Sequence, residues 1–111
     1  MAKKYLVPLA KLLDKAAVTN VKNSSLECKH FFSGAAVYVN GKICMSLTPA
    51  GFALKLPEKL RNKLLQEKRV TPLRYFSKAP IKKDYVVLPE RMLNNTKIFR
   101  YWVKKSIEYV K

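Results

Sequence analysis

Three glycines, two cysteines and one histidine are all that 111 residues hold of the types on which most small catalytic sites are built. Gly34, Gly41 and Gly51 stand far apart, so neither GxGxxG nor the Walker-type GxxxxGKS/T spacing occurs and no phosphate-cradling loop can form. Cys28 and Cys44 are too few for a disulfide scaffold and lack CxxC spacing. With His30 as the only histidine, they do not make a zinc set either. They read as small buried hydrophobes, kept reduced in a cytoplasmic protein. His30 would have to serve any Ser-His-Asp or Cys-His arrangement, yet it lies beside Phe31-Phe32 in a strand-like segment and reads as a structural residue. The carboxylates Asp14, Glu27, Glu58, Glu67, Asp84, Glu90 and Glu108 are scattered, without the close pair that acid–base chemistry uses. The expectation is a non-enzymatic protein with no cofactor, no metal and no small-molecule substrate.

Long apolar runs are missing too. None approaches the roughly 20 residues that span a bilayer. The N-terminus carries lysines as a signal peptide does, but Lys11, Asp14 and Lys15 break its apolar stretch early. A soluble, cytoplasmic protein with no membrane partner is expected, and the sequons at Asn23 and Asn94 then carry no meaning for glycosylation.

Acid is the scarcest commodity relative to its opposite: 7 Asp+Glu face 23 Lys+Arg, a formal charge of +16. A field of that strength on one small domain favours polyanionic partners. Eighteen lysines against five arginines, spread over the whole chain, also suit a surface that is merely kept soluble.

What is present is a core. Hydrophobic residues make up 49% of the chain, enough to bury one core and not two, so residues 1–111 are expected to form a single domain. Leu6, Leu9, Ala10, Leu13, Ala16 and Ala17 recur at helical spacing and predict a helix over 5–17, with Pro8 tolerated in its first turn. Strands are predicted over 26–32, 35–39, 43–47 and 52–56, and Asn40-Gly41 marks a tight hairpin because a type I′ turn needs positive φ twice. These strands alternate poorly, so both sheet faces look apolar, to be covered by helices or by a second subunit. A helix over 57–68 follows, with Leu60, Leu64 and Leu65 inward and Lys59, Arg61, Lys63 and Lys68 outward. Extended segments at 73–76 and 84–88 flank a basic link. A helical turn runs from Pro89 to Leu93, and Asn95 caps a last helix over 96–110. Phe99, Trp102, Val103, Ser106, Ile107 and Val110 form its inward stripe. Trp102, Phe99 and Ile107 should pack under Val37, Val39, Ile43, Met45, Phe52 and Leu54. The fold class is α+β: an antiparallel sheet of five to six strands around a three-stranded meander, with N-terminal, middle and C-terminal helices.

Read in order, Lys29-His30-Phe31-Phe32-Ser33-Gly34, Val37-Tyr38-Val39-Asn40-Gly41-Lys42, Met45-Ser46-Leu47 and Phe52-Ala53-Leu54-Lys55 make a recognisable series. Leu73-Arg74-Tyr75, Val87-Leu88-Pro89-Glu90 and Tyr101-Trp102-Val103 continue it. From about Leu26 onward the chain resembles the N-terminal domain of the TfoX/Sxy competence-regulator family. It departs at Ser33, where the family prefers glycine, and at Ala36. Longer family members carry a second, C-terminal domain that these residues do not include. The resemblance implies a mixed α+β domain, a part in transcriptional regulation of competence genes, and no enzymatic activity or cofactor.

Two functional readings stand side by side. In the first, lysines bind nucleic acid through its phosphates without reading sequence. The candidates are Arg74, Lys78, Lys82 and Lys83 in the basic link, and Lys97, Arg100, Lys104 and Lys105 on the last helix. Lysine acts on phosphate as a point charge, and no helix shows a base-reading face or helix-turn-helix spacing. In the second, the chain is a protein-interaction module, a homodimer or a partner of a transcription-regulatory protein, and the charge serves only solubility.

Overall fold

The computed structural model describes residues 3–15, 26–31, 34–74, 78 and 80–111. Its elements run α1 (Lys3–Lys15), β1 (Leu26–Phe31), β2 (Gly34–Val39), β3 (Lys42–Thr48), β4 (Gly51–Lys55), α2 (Glu58–Leu65), β5 (Thr71–Leu73), β6 (Lys82–Leu88), α3 (Glu90–Leu93) and α4 (Thr96–Val110). The strands form one antiparallel sheet in the order β1-β2-β3-β4-β6-β5. This is the expected α+β architecture, with six strands. Among the described residues no helix is long and apolar enough to cross a membrane.

Register decides which residues share a face. Cys28, Val37, Met45, Leu54 and Val86 form one row across five strands, and His30, Ala35, Leu47, Phe52 and Leu88 form another. Both rows lie on one face, because side chains alternate with period two. Buried residues of every helix join that face in a single core: Leu9 and Leu13 of α1, Leu64 of α2, Met92 of α3, and Phe99, Trp102, Val103, Ile107 and Val110 of α4. The Phe52 and Phe99 rings meet edge to face at 5.2 Å between centroids. The row between them, Lys29, Ala36, Ser46, Ala53 and Val87, faces the other way.

That second face is mixed where the expectation was two largely apolar faces. It carries Glu27, Lys29, Tyr38, Thr48, Lys55 and Tyr85 beside small central residues. Ala36, Ser46 and Ala53 are inaccessible to solvent there, yet lie outside the main core. Alternation looked weak because alanine counts as apolar in a pattern while contributing little apolar area.

The tight turn is as expected: Asn40 and Gly41 have φ of 50° and 84°, and they join β2 to β3. Just beyond it the register steps from Val37↔Met45 to Tyr38↔Ile43, so β3 carries one extra residue, Cys44. The bulge lets the Cys44 carbonyl accept a hydrogen bond of 3.1 Å from the Ser106 hydroxyl of α4.

Local expectations shift in four places. Pro8 is the sixth residue of α1, inside the helix rather than in its first turn. It costs one backbone bond but points to solvent while Leu9 and Leu13 anchor the helix to the sheet. Leu65 is turned outward, 37% exposed, because α2 ends there and rests on Leu64. Arg61, expected in solvent, folds back to donate to the Leu56 carbonyl at 2.6 Å. His30 lies on β1 as expected but is exposed. The strand expected at 73–76 is observed as Thr71–Leu73, and Tyr75 and Phe76 fall outside the described residues, as do Ala16, Ala17 and Phe32.

Candidate nucleic-acid interface

At the end of the sheet bearing the Asn40-Gly41 turn, three strands and a helix converge. Lys42 opens β3 and Lys55 closes β4, and antiparallel pairing of these neighbours brings the two to the same end. Asp84 enters from β6, and Tyr109 and Val110 from the last turn of α4. With Ile43 they line an open cavity of about 500 Å³. Ile43, expected in the core, is half-buried on this rim because it lies before the bulge.

The electrostatics of the cavity are lopsided. Its one acid, Asp84, lies 3.6 Å from Arg61. Lys42 and Lys55 therefore bring cationic charge that Asp84 does not offset. The Lys55 ammonium stands 5.8 Å from the Tyr85 ring centroid, and Tyr109 is 46% exposed beside it. Cationic groups interleaved with accessible aromatic rings suit phosphates and unstacked bases alike.

The first group of sequence-predicted residues gathers at this end. Lys83 adjoins Asp84, Lys82 pairs in register with Leu73, and Arg74 follows Leu73 directly. Lys78 is exposed in the connection between β5 and β6. The α4 group is spread along its helix. Lys97 and Arg100 lie toward the N-terminal end; twelve residues separate Lys97 from Tyr109, about 18 Å at 1.5 Å per residue. Lys104 is exposed midway. Lys105 sits on another flank, 3.9 Å from Glu108 and 5.5 Å from the Tyr101 ring centroid.

Sequence reasoning missed Lys42 and Lys55. Thirteen positions separate them, and neither belongs to a basic run. The signal was in the meander: a tight turn before Lys42 and a strand ending at Lys55 bring the two to one sheet end once β3 and β4 pair.

Among the described residues one ionisation is strongly displaced, that of Cys44, whose thiol burial pushes up to about 12. Among the described residues no cluster of His, Cys, Asp or Glu is set to hold a metal.

The model of the TfoX N-terminal domain matches residues 21–110. No curated protein and no solved structure matches the chain.

Proposed function

Because the chain belongs to the TfoX N-terminal domain family, we propose that it is a non-enzymatic, cytoplasmic regulatory domain that acts in transcription and binds nucleic acid weakly through the phosphate backbone. The observation that carries this reading is the basic end of the sheet, where Lys42, Lys55, Lys82 and Lys83 come from three strands on a chain of net charge +16. A net positive charge around an open cavity with Tyr109 in its wall attracts a polyanion from a distance and holds it without a fixed register. Lysine heads supply attraction without bidentate base recognition, so affinity depends on salt far more than on sequence.

The test is a fluorescence-anisotropy titration of random-sequence duplex at several salt concentrations. If about four to six phosphates are neutralised, log K falls against log salt with a slope of about −4 to −5. Lys82→Glu with Lys83→Glu weakens binding to all duplexes alike, and adding Lys42→Glu with Lys55→Glu weakens it further. Absence of binding at about 50 mM salt overturns the reading, since the electrostatic contribution is then near its largest. Tight binding confined to one sequence contradicts the mechanism, because it requires base contacts.

A further inference from the structure

The two edges of the sheet differ sharply. The β5 edge is three residues long, contains Pro72, and is followed by Arg74. Proline and like charge are the ordinary devices against strand pairing. The β1 edge is six residues long, free of proline, and among the described residues is paired on one side only, with β2. Its charges are also balanced: Glu27 and Lys29 form an ion pair of 3.8 Å, each side chain about half exposed. Two copies of a +16 chain repel each other over most of their surfaces. A contact between copies belongs where charge is locally neutral, and β1 is such a place.

We propose that β1 pairs antiparallel with β1 of a second copy of this chain, on a two-fold axis through Cys28, joining two six-stranded sheets into one of twelve strands. Register follows from charge. Centring the axis on Cys28 sets Glu27 of each copy opposite Lys29 of the other, and Leu26 opposite His30. Centring on Glu27 or on Lys29 sets like charges face to face, which is destabilising. Placing the axis between Cys28 and Lys29 gives up both complementary pairs. The arrangement is isologous, as a two-fold contact must be. An axis perpendicular to the sheet leaves the helices of both copies on one side and the basic ends at opposite corners.

Charge exchange tests the register. Sedimentation of the wild-type chain at micromolar concentration gives a dimer. Glu27→Lys alone and Lys29→Glu alone each weaken association about tenfold or more, a change equivalent to about 1.4 kcal/mol. The double exchange, Glu27→Lys with Lys29→Glu, restores it. Thermal melts of the same variants check that each still folds. A short bismaleimide crosslinks wild-type chains through Cys28 into covalent dimers and fails on Cys28→Ser. A wild-type monomer under these conditions, or a double exchange no better than the singles, overturns the proposal. The double exchange leaves net charge unchanged, so DNA titrations of that variant separate this contact from the nucleic-acid interface.

Discussion

Two buried serines show what a hydroxyl is worth in this protein. Ser106 donates to the Cys44 carbonyl at 3.1 Å and ties α4 to the bulge of β3. Ser46, in the row of Ala36 and Ala53, is equally inaccessible, but among the described residues its hydroxyl has no hydrogen-bond partner. An unsatisfied buried hydroxyl costs about 1–3 kcal/mol, whereas a satisfied one contributes about 1 kcal/mol. Ser46→Ala is therefore expected to raise the urea midpoint, by about 1 kcal/mol in stability, and Ser106→Ala to lower it by a similar amount. Equal destabilisation by both would show that Ser46 is satisfied. Gly34 is a third residue set by its neighbours, since a Cβ there would run into the Leu47 carbonyl oxygen. Cys44 gives a pH prediction. Its thiol is raised from 9.0 to about 12 by burial, so the folded state holds a proton that the unfolded state releases. That contribution to stability is complete below the unfolded value near 9 and is lost as pH rises toward 12. In a Cys28→Ser background, Ellman's reagent at pH 8 should leave the folded protein untouched and titrate one thiol after denaturation. Fast labelling of the native state would contradict the burial.

At the scale of the element, α4 is the clearest case of pattern becoming packing. All six residues of its predicted stripe are buried, and Asn95 accepts from the Ile98 amide at 3.1 Å, as a cap should. Phe99 is inaccessible and meets Phe52 edge to face, so Phe99→Ala is expected to cost about 3–5 kcal/mol in chemical denaturation. Trp102→Ala falls in the same range, and Asn95→Ala costs about 1 kcal/mol. An unchanged midpoint for Phe99→Ala would mean that α4 does not hold the sheet. The meander was legible for the same reason: a two-residue turn needing positive φ admits few sequences, and Asn-Gly is the commonest. Boundaries set by chain geometry were harder to read. The interior Pro8 and the outward Leu65 both depend on where a helix meets the sheet, which no local period encodes.

For the whole molecule, the +16 charge makes salt the controlling variable, and it acts in opposite directions on the two proposed contacts. Nucleic-acid affinity falls steeply with salt because counterions released on binding must be displaced from a higher concentration. Self-association through β1 is expected to strengthen between low and moderate salt, as repulsion between two copies of a +16 chain is screened beyond a length of roughly 10 Å at 0.1 M. Sedimentation across a salt series checks this, and association that weakens steadily from the lowest salt would contradict it. The amino-acid sequence by itself determined the fold class, the turn of the meander, the inward stripe of α4 and the family, because each rests on a local period, a turn chemistry or an ordered series of short motifs. Tertiary structure alone decided that the described helices share one face, that Lys42 and Lys55 line one cavity across paired strands, that Lys97 lies most of the α4 length from Tyr109, and that β1 is an edge of the sheet. Those are relations between residues distant in the chain, and strand order and register, not local pattern, create them.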